Sequence, residues 1–204
     1  MIASLVPDSV IKHYKESRSL ISIKRDGINT STIQCFVFDY KDDWILLGKI
    51  YDMTYDGLFL CKISDLSSMT CQASDAFQRG MMADEGLLDD IDFSQSFNSR
   101  DLPDYVNSIE GCKVVIVEDE KENIFMIGTD VGATLDEDGD WLIGLLSFSG
   151  AGRFDDERED YFLEDVSSIS IGTVYSLFYE RYFKRNKNVE QDGAGQAPTA
   201  PESK

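Results

Sequence analysis

Short apolar runs separated by polar, turn-forming residues dominate the first half of the chain. Each run has the length of an ordinary β-strand and is rich in β-branched or aromatic residues. The polar turn at 41–43 predicts a hairpin between the second and third runs. The Asp56-Gly57 dipeptide, which suits a turn with positive φ, predicts the next turn. The runs lie at 20–24, 35–38, 44–50 and 58–63.

The second half carries the same succession of runs and turns. A continuous apolar run at 113–117 predicts a buried strand, and the Asp138-Gly139 dipeptide predicts a hairpin. A loop rich in glycine and aspartate spans residues 149–160. The other strand candidates lie at 133–135, 141–148 and 161–163.

Two blocks of sequence recur in the same order, which indicates an internal duplication. Residues 38–46 match residues 135–143 at an offset of 97, and this alignment places Trp44 and Trp141 in register. Residues 65–69, Asp-Leu-Ser-Ser-Met, match residues 165–169, Asp-Val-Ser-Ser-Ile, at an offset of 100. We therefore expect each half to fold in the same way.

Four or five short strands in each copy suit a small barrel, because closure removes the exposed edges of a short sheet. The strand-turn-Trp hairpin, the Asp-Gly turn and a last strand entering at Asp65 or Asp165 resemble the Sm-like and SH3-like small barrels. The resemblance covers residues 18–71 and 111–172 and implies a fold only. It predicts a mainly β protein with short helices, built as two tandem Sm/SH3-like small β-barrels from an internal duplication, with a C-terminal helix.

Helical patterns are few and lie outside the apolar runs. We predict a helix from Asp8 to Ser19, a second at 73–82, and a third at 173–186 capped by Thr173. In the third helix, Val174, Leu177, Phe178, Arg181 and Tyr182 share one face, which we expect to be the buried face. The predicted domains are an N-terminal helix at 1–19, a first barrel repeat at 20–82, an acidic connector at 83–110, a second barrel repeat with the C-terminal helix at 111–188, and a disordered tail at 189–204.

Charge adds a functional constraint to this picture. The chain has 38 acidic and 19 basic residues, a net charge of −19, and a pI near 4.2. Binding to a phosphate backbone needs clustered Lys and Arg, so the charge argues against a nucleic-acid partner. The excess is regional, because residues 84–140 hold 17 acids against three bases and residues 155–165 hold seven against one.

An acidic surface of this kind is typical of a docking face for a basic protein, although it also serves solubility alone. Our first functional hypothesis is a non-enzymatic, bacterial-type interaction protein that engages a basic partner. Inhibitor or immunity-type proteins are one class with this profile. The candidate protein-binding residues are Asp136, Glu137, Asp138, Asp140, Asp155, Asp156, Glu157 and Glu159.

Two alternatives from other classes remain open. Asp104, Asp119 and Lys121 fit the bare spacing of a PD-(D/E)xK nuclease, in which two carboxylates hold Mg²⁺ and a lysine assists the attacking water. The chain could instead be a structural module whose barrel edges pair with further copies, and the oligomeric state is left open.

The remaining reactive residue types point to no catalytic or metal site. His13 is the single histidine, which excludes a multi-histidine metal site. No C-x-x-C pair occurs, so we interpret all four cysteines as buried thiols and predict neither a metal nor a cofactor. Trp44 and Trp141 are interpreted as core residues. With no run of 18 apolar residues and no basic, apolar leader, we expect a soluble cytoplasmic protein with no membrane partner.

Overall fold

The computed structural model describes residues 5–192, and within them ten strands form one antiparallel sheet. The strands are β1 Ile21–Arg25, β2 Asn29–Lys41, β3 Trp44–Tyr51, β4 Thr54–Lys62, β5 Ser68–Thr70, β6 Val115–Asp119, β7 Ile124–Leu135, β8 Trp141–Ser147, β9 Glu159–Phe162 and β10 Ser168–Ile171. The helices are α1 Asp8–Ser17, α2 Ala73–Asp84, α3 Leu102–Asn107 and α4 Val174–Asp192, and a 3-10 turn spans Ile63–Asp65. The predicted mainly β class with short helices and a C-terminal helix is therefore confirmed.

The order of strands is the same in the two halves of the sheet. It runs β5-β1-β2-β3-β4 in the first half and β10-β6-β7-β8-β9 in the second, so each fifth strand lies beside the first strand of its own half. The halves join where β4 pairs with β10, with Leu60 opposite Ile169. The edge strands β5 and β9 do not pair with each other, so the sheet is open and the predicted closure into two barrels is not confirmed.

The serine element of the sequence repeat has the same role in both halves. Ser67 N donates to Lys24 O at 2.9 Å, and Ser67 Oγ accepts from Asp26 N at 3.2 Å. In the second half Ser167 makes the matching bonds, to Glu118 O at 2.8 Å and from Glu120 N at 3.0 Å. The element therefore fixes the start of the fifth strand against the end of the first.

The two tryptophans do not occupy equivalent positions. Ile63 N donates to Asp43 O at 2.7 Å, and the matching bond in the second half joins Leu163 N to Trp141 O at 2.8 Å. Trp141 thus takes the place of Asp43, an offset of 98 where the sequence alignment gave 97. Because side chains alternate along a strand, this shift of one residue gives the two indoles non-equivalent places in their own halves, and both line one opening. The cause is the hairpin turn, which spans residues 42–43 in the first half and 136–140 in the second.

The core consists of two main clusters that share β2 to β4. The first cluster lies on one face and draws on all five strands of the first half together with Val6 and Ile11. The second cluster combines the opposite face, including Phe36 and Leu60, with the connector and the strands of the second half. The outer face of the first half is therefore buried against the second half.

One predicted turn is in a different place. The turn between β3 and β4 is formed by Asp52 and Met53, both with positive φ, and not by Asp56 and Gly57. Gly57 lies within β4 at φ +80°, where an added Cβ would be 2.5 Å from the carbonyl carbon of Gly172. Glycine is thus needed there because β4 and the end of β10 approach closely.

The C-terminal helix buries a different face from the one expected from the sequence pattern. Thr173 does cap α4, since its Oγ1 accepts from Ser176 N at 3.0 Å, but the helix buries Ser176 and Glu180. Val174, Phe178 and Tyr182 of the predicted face are 46, 61 and 50% exposed. The helix also continues to Asp192, through the start of the predicted tail, and residues 193–204 lie outside the described residues.

The acidic connector contains a helix that was not predicted. Asp101 accepts from Asp104 N at 3.0 Å, and Pro103 stands in the first turn of α3. An Asp at the N-cap followed by a proline in the first turn is a known helix-start signal, so the sequence did indicate that a helix begins here. Elsewhere in the connector Ile91 and Phe93 pack against the core, and Phe93 meets Phe36 edge to face.

Candidate functional site

Half of the predicted contact residues form the turn between β7 and β8. Asp136 Oδ1 accepts hydrogen bonds from Asp138 N at 2.9 Å and from Asp140 N at 2.8 Å, so this carboxylate organises the turn. Glu137, Asp138 and Asp140 are exposed around it. The turn therefore presents three carboxylates to solvent on a fixed backbone.

The other half lie in the loop before β9 and at the first residue of that strand. Asp155, Asp156, Glu157 and Glu159 are exposed, and Glu159 Oε2 is within hydrogen-bond distance of Ser147 Oγ at 3.2 Å. Because the turn precedes β8 and this loop follows it, the two groups lie at opposite ends of β8. The structure thus places the eight acids in two separate groups.

A cavity of about 480 Å³ opens in the second half beside the β6–β7 turn and the segment before β10. We call it the acidic mouth, and its lining residues are Asp119, Lys121, Glu122, Ile124, Met126, Asp160, Tyr161, Phe162, Glu164, Asp165 and Val166. Among the described residues, none of the turn 136–140 lines it, because that turn follows the opposite end of β7. Five carboxylates and one lysine thus surround a single opening.

The floor of the acidic mouth is apolar. Met126 and Val166 belong to the buried core, and Ile124 and Tyr161 pack against it while partly exposed. An apolar floor inside a charged rim can receive the aliphatic part of a side chain together with an adjacent cationic group.

The rim carboxylates differ in how far they are already satisfied. Asp119 Oδ1 accepts from the main-chain nitrogens of Lys121 and Glu122, and Lys121 Nζ lies 3.7 Å from Asp65. Asp160 pairs with Arg158 at 3.1 Å. The other three acids, Glu122, Glu164 and Asp165, are exposed and have no ion-pair partner within residues 5–192.

The sequence pattern singled out Asp119 and Lys121 only as nuclease candidates and did not select the other acids of the acidic mouth, although they lie in the two acidic spans. Nothing in the linear order shows that residues 119–126 and 160–166 meet. That proximity follows from the pairing of β10 with β6, which brings the segment before β10 to the turn after β6.

A second, smaller opening of about 270 Å³ lies where the two tryptophans meet. Trp44 packs against the core, and Lys62 Nζ lies 5.8 Å from its ring. Trp141 is 36% exposed, so the interpretation as a core residue fits Trp44 better than Trp141. Because a cation already covers Trp44, this opening is a weaker candidate than the acidic mouth.

The nuclease alternative receives no support from the geometry. Asp104 lies on α3, 3.3 Å from Arg100, whereas Asp119 ends β6 and shapes the following turn. Lys121 is directed at Asp65. Among the residues that the structure describes, no group of three or more His, Cys, Asp or Glu side chains could hold a metal ion.

The edge strands are poorly suited to pairing with further copies. β5 has three residues, and β9 begins with Glu159 and Asp160. The Arg158–Asp160 pair covers Gly144, where an added Cβ would clash with both side chains. Short, charged edges are features that prevent edge-to-edge association.

The four cysteine side chains differ in burial, and the single histidine is exposed. Cys35 and Cys61 are buried, and burial raises the pKa of Cys61 to about 12. Cys71 and Cys112 are exposed, so the prediction that all four thiols are buried is wrong for these two. His13 is exposed on α1 next to the Tyr14 ring.

Comparisons with known proteins leave the site to be interpreted from its own geometry. The chain matches no protein-family model, no curated protein and no solved structure. Within the described part of the chain, every helix is too short or too polar to cross a membrane.

Proposed function

We propose that the chain is a non-enzymatic protein-binding module whose acidic surface engages a basic protein, as an inhibitor or immunity-type protein does. The supporting observation is that most exposed acids of the second half form no ion pair with a described residue. In the described residues no ion pair involves Glu122, Glu137, Asp138, Asp140, Asp155, Asp156, Glu157, Glu164 or Asp165.

Uncompensated charge on a rigid scaffold has a physical consequence for association. It creates a potential that steers an oppositely charged partner and disfavours acidic competitors. The turn 136–140 supplies one such face at the start of β8, and the acidic mouth has a charged rim of its own. The loop at 155–159 supplies a second face at the far end of β8.

The scaffold in this proposal is a duplicated Sm-like or SH3-like small barrel that has opened into one sheet. Its support is the shared strand order of the two halves and the matched bonds of Ser67 and Ser167. A duplicated scaffold allows one half to specialise in binding while the other half retains the stable packing.

The test of this function is partner capture followed by a salt titration. The full chain is used as bait in an extract of its native host, and each retained protein is purified and its Kd measured at 0.1 and 1 M salt. We expect a basic partner whose affinity falls at least about tenfold, because the Debye length shrinks from about 10 Å to about 3 Å. A Kd that does not change with salt, or retention of acidic proteins only, would show that the surface serves solubility.

Charge-reversed variants locate the face that is used. Glu137→Lys/Asp138→Lys changes the turn, and Asp155→Lys/Asp156→Lys changes the loop at the other end of β8. Glu16→Lys/Asp90→Lys is the matched control, since it changes the net charge equally at exposed positions outside both groups. Equal weakening by all three variants would indicate a general charge effect and contradict a defined docking face.

A further inference from the structure

The end of the first half that corresponds to the acidic mouth is bordered by the segment before α1, which buries Val6 while Leu5 stays 75% exposed. Leu5 lines a cavity of about 230 Å³ there, with residues 27–28 of the β1–β2 turn and residues 64–67 before β5. Val6, 6% exposed, is buried in the same cluster as Ile63 and Leu66. The segment before α1 therefore supplies an apolar side chain to this end of the first half.

The second half lacks such a segment at the equivalent place. The acidic mouth is bounded by the β6–β7 turn and by residues 164–166 before β10, the counterparts of the first-half elements. Its lining includes no residue that precedes Asp119. The acidic mouth thus opens directly onto Met126 and Val166.

The reason lies in the helix that precedes each half. α1 has ten residues and α3 has six. α3 is held at the other end of β7, where Asn107 Nδ2 donates to Ala133 O at 3.0 Å and Ala133 N donates to Asn107 Oδ1 at 2.7 Å. Residues before α3 consequently do not reach the acidic mouth.

The first-half cavity and the acidic mouth also differ in charge. The lining of the first-half cavity contains Asp65 and its partner Lys121, which balance each other. The acidic mouth has five carboxylates, and among the described residues only Asp160 of these five has an ion-pair partner. An occupant that is only apolar would leave these charges without compensation, whereas cations beside the apolar group would pair with them.

We infer that the acidic mouth receives a short segment of the basic partner, in which one aliphatic side chain enters as Val6 does in the first half and flanking Lys or Arg residues pair with the rim. This inference deepens the proposed function and rests on it. The flanking cations account for the selection of a basic protein, and the aliphatic residue accounts for the selection of one segment within it.

The test uses three synthetic peptides and the full chain. The first peptide places the chain's own Leu-Val-Pro segment between two pairs of lysines, the second replaces Leu-Val with Gly-Gly, and the third replaces the lysines with serines. Methyl NMR signals of Ile124, Met126 and Val166 report on the floor of the acidic mouth. We expect the first peptide to shift these signals, and each of the other two to bind at least about fivefold more weakly, since about 1 kcal/mol corresponds to that ratio.

Rim variants provide the matched comparison. Glu122→Lys/Glu164→Lys should weaken the first peptide at least about fivefold, and Glu16→Lys/Asp90→Lys, with the same charge change at exposed positions away from the acidic mouth, should change its Kd less than about twofold. Glu122→Gln/Glu164→Gln should cause an intermediate loss of affinity for the first peptide. It is the control for misfolding caused by reversed charge. Unchanged thermal unfolding of each variant confirms that the fold is intact.

Several outcomes would overturn the inference without affecting the proposed function. These are equal binding of the Gly-Gly peptide, shifts confined to residues 136–140 or 155–159, or no methyl shift at millimolar peptide. A concentration-dependent dimer that Glu122→Lys/Glu164→Lys dissociates would instead assign the acidic mouth to a second copy, whose α4 carries Arg181, Lys184 and Arg185. The proposed function fails separately, through a partner Kd that is independent of salt.

Discussion

Asp39 joins the first helix to the segment that connects the two halves. Its Oδ1 accepts from Lys15 Nζ at 2.5 Å on α1, and its Oδ2 accepts from Phe97 N at 2.8 Å in the connector. Burial acts to raise the pKa of Asp39, but these bonds outweigh it, and the pKa is lowered from its ordinary value. The ionised form therefore contributes to stability.

Replacing this carboxylate should destabilise the protein in a pH-dependent manner. A lowered pKa in the folded state means that the stabilisation is complete above the ordinary Asp pKa of about 3.9 and is lost as the pH falls through the folded value. We expect Asp39→Asn to reduce the free energy of unfolding at pH 7 by about 1.5 kcal/mol or more, as for other bonds to charged groups. Urea unfolding at pH 7 and pH 3 measures it, and an equal loss at both values would contradict the assignment.

The four cysteines should separate into two classes in native protein. Cys71 and Cys112 are exposed, whereas Cys35 and Cys61 are buried and burial raises their pKa values, which suppresses the reactive thiolate. We expect a thiol reagent at pH 8 to label two sites rapidly and the other two only after denaturation. Mass spectrometry of the labelled peptides assigns the sites, and rapid labelling of Cys35 or Cys61 would show that the core opens.

At the scale of the elements, the sequence pattern predicted where strands and hairpins lie but not how they align. The runs at 20–24, 44–50 and 113–117 all became strands, because apolar composition and turn residues act locally. The offset between the halves at β3 and β8 could not be predicted, since it depends on a hairpin turn that is three residues longer in the second half. The acidic mouth was missed for a related reason, as it is formed by segments that only the β6–β10 pairing brings together.

Gly57 offers a direct test of the strand contact that joins the halves. Gly57→Ala would place a methyl group against Gly172 and require an alanine at φ +80°. We expect a loss of about 2 kcal/mol or more in the free energy of unfolding, combining strain with overpacking. The control is Gly80→Ala within α2, where an added Cβ meets nothing within 4 Å and helix propensity predicts a gain of about 0.5–1 kcal/mol. Equal effects of the two substitutions on denaturant unfolding would contradict the close approach.

At the scale of the whole molecule, the halves behave as one unit because several kinds of contact cross between them. β4 pairs with β10, Val174 N donates to Asp56 Oδ1 at 2.9 Å, and Lys62 Nζ donates to Glu164 O. The second core cluster also spans both halves. The sequence repeat predicted two similar units but not their fusion, since the pairing of β4 with β10 joins segments that are far apart in sequence.

Arg25 is a buried charged residue that also joins the two halves. Its side chain is 1% exposed, its Nη2 lies 2.6 Å from Glu120 Oε2, and its Nη1 donates to Ser167 O at 3.3 Å. Arg25→Ala removes the cation that pairs with Glu120, so we expect the free energy of unfolding to fall by about 3 kcal/mol. This is the lower end of the range for a broken buried ion pair, because Glu120 keeps some access to solvent.

The fluorescence of Trp44→Phe and Trp141→Phe variants reports one half each, and in the parent background both should unfold at the same urea concentration. Separate transitions there would show that the halves fold independently and that Arg25 does not couple them.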